Sequence, residues 1–165
     1  MQIDGTYLLD HLAYSQWASE RSIKAVLPLT IEEQNRYLYT SHHGVLGTLL
    51  HIFHADRMWL SRLVGSPRLT LADAGETFTL ESLAVSWTKT HADWQSWAGA
   101  LTADAVTRPL KYANLQGHLF ELPVWQVVLH VVNHASYHRG QVTTMLRQLN
   151  HTSIVTDLTT YYNSR

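Results

Sequence analysis

The sequence predicts an all-α chain folded as one four-helix bundle, and three observations carry that prediction. Apolar residues recur at helical spacing through four stretches of about twenty residues, the length that bundle helices need. Proline and glycine turns punctuate the chain between them. The 165 residues, 18.8 kDa and 45% hydrophobic content suit a single domain, taken as 1–165, that folds without disulfides.

The first stretch runs from Tyr7 to Leu27, with Leu8, Leu9, Leu12, Ala13, Trp17 and Ile23 as its apolar positions, and Pro28 stops it. Thr30-Ile31-Glu32-Glu33 has the form of a capping box, which predicts a short helical turn. The second helix is expected from Val45 to Val64 and ends at Gly65-Ser66-Pro67. Residues 68–79 read as a loop, and Thr79 is the expected N-cap of a third helix over Leu80–Leu101. Between Arg108 and Leu122, Asn114-Leu115-Gln116-Gly117 divides two short apolar segments, which predicts a small hairpin between helices three and four. The fourth helix runs from Pro123, suited to a first helical position, to Leu149. The tail from Ile154 to Tyr162 reads as a short helix or an extended arm.

Charge and composition narrow the function. Twelve Lys and Arg against thirteen Asp and Glu give a formal charge of -1, without the basic excess expected of a nucleic-acid or anionic-membrane binder. No apolar run reaches the ~18 residues of a membrane span, and no secretory signal opens the chain, so a cytoplasmic location is expected. With no cysteine, thiolate ligands and Cys nucleophiles are excluded. Eleven histidines in so short a chain are what chemistry remains to explain.

Three of them, His130, His134 and His138, recur at four-residue intervals in the segment His130-Val-Val-Asn133-His134 through His138-Arg139-Gly140-Gln141. Residues four apart share a helical face at ~5–6 Å, from which two imidazoles can converge on one ion. Such a pair needs a further ligand from another helix, and spacing alone chooses neither between His130/His134 and His134/His138 nor between His51 and His54. Asp56 is a candidate oxygen ligand or a solvated partner of Arg57 or Arg62. His42 and His43 are expected to be exposed, and His11, His91, His118 and His151 to be structural or surface residues. Arg139 reads as the partner of a bundle carboxylate, with an anionic substrate as the alternative. Gly140 reads as the close approach of another helix, and the six tryptophans as core and interface.

Leu49-Leu50-His51-Ile52 with Ala55-Asp56-Arg57-Met58-Trp59-Leu60, and the His130–Gln141 segment continuing to Leu146-Arg147-Gln148-Leu149, resemble the two signature segments of the DinB/YfiT-like family. Tyr14 and Trp17 match that family's aromatic pair in the first helix, and the likeness covers nearly the whole chain. The resemblance implies a bundle holding one divalent metal ion (nickel, zinc or iron) through His51, His134 and His138. It leaves His130 and Asn133 as candidates to orient those ligands. It also implies a homodimer and a small-molecule substrate.

Three neutral imidazoles leave coordination positions open, the arrangement of catalytic rather than structural sites. The resembled family includes enzymes that use low-molecular-weight thiols such as bacillithiol or mycothiol, so the resemblance implies a metal-dependent thiol S-transferase or isomerase. The alternatives are a metal-dependent hydrolase and a non-catalytic metal-binding stress-response protein.

Overall fold

Asp4 begins α1 (Gly5–Val26) because its extended backbone leaves its carboxylate free to accept the Tyr7 amide at 2.9 Å. A computed structural model describes residues 3–66, 77–114 and 116–165. The capping box at Thr30 forms both of its reciprocal bonds and opens α2 (Ile31–Asn35). Then come α3 (Val45–Leu63) and α4 (Leu80–Gly99), the latter capped by Thr79, whose hydroxyl accepts the Ser82 amide at 3.3 Å. Most of the loop expected at 68–79 lies outside the described residues.

The sequence reading did not contain α5 (Ala103–Thr107), which is too short for its apolar spacing to register. The hairpin is present as β1 (Pro109–Ala113) and β2 (Leu119–Pro123), antiparallel from Pro109 opposite Pro123 to Ala113 opposite Leu119. Position 115 of its turn lies outside the described residues. Pro123 stands just ahead of α6 (Val124–Gln148) instead of in its first turn. Its ψ of 147° keeps it extended as the last residue of β2, and the Val124 amide returns to the Arg108 carbonyl at 3.0 Å. The tail carries no regular secondary structure over 151–157 and is then helical in α7 (Leu158–Asn163), the short helix expected there. It docks on α1, where the Tyr14 hydroxyl donates to the Thr156 carbonyl at 2.9 Å.

Helix α1 packs against α4 and α6, and α3 packs against α6 and α4. Two apolar clusters show the helix directions. One takes Leu8–Ala18 of α1, Trp59 and Leu63 of α3, Trp94 and Ala98 of α4, and Val124–Val132 of α6. The other takes Ile23 and Val26, Val45–Phe53, Leu80–Trp87 and Ala135–Leu149. Helices α1 and α6 therefore run one way, and α3 and α4 the other. Of the six tryptophans, Trp59, Trp87 and Trp94 are buried within one chain and Trp17, Trp97 and Trp125 are half-buried. Among the described residues, no helix is long and apolar enough to cross a membrane.

A polar layer separates the two clusters. Arg139 is 0% exposed and donates through Nη1 to the hydroxyls of Ser15 (3.3 Å) and Ser19 (3.2 Å), and through Nη2 to that of Ser136 (2.9 Å). Its guanidinium also lies 5.6 Å from the centre of the Tyr14 ring. Asp56 of α3 is buried beside it and accepts the Trp87 indole N–H of α4 at 2.8 Å. Burial pushes the Asp56 carboxyl up to about 7, with the Trp87 bond and the Arg139 charge holding it back. Arg139 thus has hydroxyl partners, and Asp56 acts on it through space, which refines the carboxylate pairing expected. Asp56 faces this layer and is no solvated partner of Arg57 or Arg62.

Replacing Arg139 with Met should cost about 3 kcal/mol of stability, the low end for a broken buried charge pair because Asp56 can take up a proton instead. Urea unfolding at neutral pH measures it, and a loss below about 1 kcal/mol would show that the layer does not hold the bundle together.

Candidate metal centre

Because α3 and α6 are antiparallel neighbours, His51 stands level with the last of the four-spaced histidines. Its Nε2 lies 3.0 Å from His134 Nε2, and the His138 ring centre lies 4.6 Å from that of His51 and 4.5 Å from that of His134. Two metal–nitrogen bonds of ~2.1 Å meeting near a right angle put their donors ~3 Å apart, so the His51–His134 spacing fits a shared ion. Without one, the same contact is a hydrogen bond from one N–H to one lone pair.

A fourth ring joins them. His42 was expected to be exposed, but it is half-buried and stacks on His51 with centres 3.7 Å apart and planes 13° apart. One ring nitrogen from each of His42, His51 and His138 lies within 4.8 Å of the others. The sequence reading missed it because His42 lies ahead of α3 in a connection, where helical spacing says nothing about neighbours.

The orientation of His138 is set by Gln141, whose Oε1 lies 2.8 Å from His138 Nδ1. An amide oxygen only accepts, so Nδ1 carries the proton and Nε2 keeps its lone pair for a cation. Among the described residues, neither residue expected in this orienting role hydrogen-bonds a clustered ring, although the His130 ring centre lies 5.8 Å from that of His134. Asn133 is exposed, and His130 stands 5.3 Å from Trp59, ring centre to ring centre. The signal for Gln141 was its place three residues after His138, one helical turn on. His54 meets Phe53 and Phe78 at ring-centre distances of 5.4 and 6.0 Å. Gly140 has no neighbour within 4 Å of where a Cβ would stand, so the expected close approach of a helix is absent.

Burial, reinforced by neighbouring imidazoles, holds these rings neutral. His51 is depressed to about 3 by burial first and then by His42, His134 and His138. His134 is depressed to about 4 by burial and then chiefly by His138. Neutral imidazoles with free lone pairs are a donor set that could hold a divalent cation. The remaining histidines are structural or exposed, as expected. His91 is buried beside Asp56, His11 contacts the Tyr7 carbonyl, His151 contacts Glu33, and His118 is exposed.

His51 and His134 also line a pocket of about 410 Å³. Its walls are Met58, Trp59, Tyr112, Phe120 and Leu122, and Arg62, Asn114 and His130 bring polar groups. The hairpin therefore roofs the histidine cluster. The Arg62 guanidinium lies over the Trp59 and Tyr112 rings at 4.6 and 5.2 Å and donates to the Ala113 carbonyl at 3.0 Å. Among the described residues, neither Asp nor Glu lines this pocket. A larger depression of about 820 Å³ between α3 and α4 holds none of the clustered histidines.

Comparison with known proteins agrees with this architecture. The model of the DinB family matches residues 1–165. Protein DinB of Bacillus subtilis is 25% identical over 158 residues, covering 90% of this chain and 89% of that protein. A crystal structure of a DinB-like protein from Bacillus cereus superposes with a TM-score of 0.72 at 20% identity, covering 94% of this chain and 99% of the other.

The depressed histidines fix how the metal-free chain responds to acid. His51, His91 and His134 fall from an ordinary 6.5 to about 3, 4 and 4, so the unfolded chain takes up protons first as pH drops below 6.5. Their contribution is present above that value and is lost toward pH 4. Asp56, raised from 3.8 to about 7, works the other way, stabilising the fold as pH falls through 7. Three imidazoles outweigh one carboxyl, so the urea midpoint should fall between pH 6.5 and 4.5. A midpoint that rose over that interval would contradict the burial of the cluster.

Proposed function

From its membership of the DinB family, which the whole chain matches, we propose that this protein is a metal-dependent enzyme joining or rearranging a thiol and a small electrophilic substrate. The observation that carries the proposal is the 3.0 Å approach of His51 to His134 at the floor of an aromatic pocket. His51, His134 and His138 are the ligands, each through one ring nitrogen. A divalent nickel, zinc or iron ion held there would supply Lewis acidity, keeping a low-molecular-weight thiol as its thiolate or polarising a carbonyl.

The chain's own residues do the rest. Gln141 fixes the tautomer of His138. Trp59, Tyr112, Phe120 and Leu122 exclude water from one side and accept the apolar body of a substrate. The Arg62 guanidinium at the pocket wall favours a substrate bearing a carboxylate or enolate oxygen. His130, which burial keeps below its ordinary pKa, can accept a proton from an entering thiol. Among the described residues no carboxylate lines the pocket, which weighs against the hydrolase alternative, because metal-bound water would then be without the acidic partner that commonly takes its proton. A homodimer, which rests on the family resemblance, and a cytoplasmic location complete the proposal, and sedimentation at micromolar concentration tests the assembly.

The native protein, purified without an affinity resin, should retain about one divalent ion per chain, and His51→Ala or His134→Ala should remove it. Turnover of a thiol-reactive electrophile should need both thiol and metal. His130→Gln should keep the ion while lowering turnover by about 10²-fold or more, the range expected of a lost acid–base group. Ester hydrolysis without any thiol would favour the hydrolase, and full metal with no turnover of either substrate class would favour the non-catalytic protein.

A further inference from the structure

The connection between α2 and α3 is built to hold one side chain over the histidine cluster. A Cβ on Gly47, in the first turn of α3, would stand 2.2 Å from the His42 carbonyl oxygen. One on Gly44 would stand 2.7 Å from the Arg36 carbonyl oxygen and 3.0 Å from that of Gln34. No side chain fits at either place, so both glycines let the loop backbone close down on itself and on the helix. Tyr39 and His43 both adopt left-handed backbone, with φ of 58° and 67°, a conformation that residues with side chains hold only when their surroundings impose it. The Leu38 amide bonds the His43 carbonyl at 3.1 Å, and the His43 amide bonds the Thr40 carbonyl at 3.3 Å, closing the turn.

The side chain delivered is His42. Its ring lies on His51, and its centre is 5.1 Å from that of His138. Among the described residues, no protein group hydrogen-bonds its ring nitrogens. We infer that His42 is a fourth imidazole ligand of the ion, supplied by a loop and added to the three that the two helices provide. The inference rests on the metal-site reading above.

Bonds of ~2.1 Å allow two donors to stand at most ~4.2 Å apart, so nitrogens within 4.8 Å need to close by less than an ångström. A ligating imidazole holds the ion in its own plane, so His42 turns out of its stack with His51 when it binds. His42 does not line the substrate pocket, whereas His51 and His134 do. A fourth nitrogen on the far side therefore leaves the pocket-facing position free. Four neutral nitrogen donors favour nickel, copper or zinc over iron(II) or manganese.

The test compares the wild-type chain with H42A, H42F, G47A and H134A in two measurements, zinc affinity by chelator competition and the visible spectrum of the cobalt(II)-loaded protein. His42→Phe keeps a ring for the stack but has no nitrogen, so it separates ligation from packing. His42→Ala and His42→Phe should each weaken zinc binding by more than about tenfold, the smallest loss expected even of a group one step removed from the ion. Both should change the cobalt spectrum, and Gly47→Ala should reproduce the effect by displacing the loop. If His42→Phe matched the wild type in both measurements while His134→Ala lost the ion, the fourth ligand would be refuted and the three-histidine site would stand. If His134→Ala also bound zinc and cobalt like the wild type, the site reading itself would fall, and the inference with it.

Discussion

Arg139 cannot be hydrated where it lies, so its donors depend on the protein, which meets Nη1 and Nη2 but leaves Nε without a partner among the described residues. Ser15 and Ser19 of α1 and Ser136 of α6 accept from it. Asp56 of α3 supplies negative charge nearby and is itself tied to Trp87 of α4. All four long helices contribute to one polar layer, which divides the apolar core into two clusters. A slip of α6 by one turn would leave a buried guanidinium facing aliphatic side chains, a loss that apolar packing elsewhere could not offset. The layer therefore fixes the axial register of α6 against its neighbours.

That register is what makes the histidine cluster. His138 adjoins Arg139 on the same helix, and Asp56 lies five residues after His51 on α3. Fixing Arg139 beside Asp56 also fixes His134 and His138 beside His51. The remaining walls come from the connections. The chain from α1 to α3 supplies the His42 loop, and the chain from α4 to α6 supplies the hairpin over the pocket. Connections longer than a simple up-down bundle needs are thus where this chain carries the parts that surround the cluster. The helices themselves carry the histidines that need accurate placement.

The physical character of the site follows from burial without compensating anions. Imidazoles crowded together in a partly dry place shed their protons, and what remains is a set of lone pairs. Gln141 adds direction by fixing which nitrogen of His138 is bare. The aromatic walls border the cluster with apolar surface on one side.

Helical periodicity, the Thr30 capping box and the Thr79 cap are local properties, so the sequence alone determined the four long helices and α2. The hairpin was legible too, because turn residues and short apolar segments mark it locally. Four-residue spacing likewise put His130, His134 and His138 on one helical face, while the choice of His134 with His138 came only from the family resemblance. Tertiary structure decided what depends on residues far apart in the chain. The presence of His42 among the rings, the burial of Arg139 among serines and the pocket beneath the hairpin were all of this kind. Periodicity reports which face of a helix is apolar, but not which loop folds across it. The choice of His51 over His54 as neighbour of His134 shows the same limit. Both sit among core-spaced residues, and only the packing of α3 on α6 determines which ring reaches across.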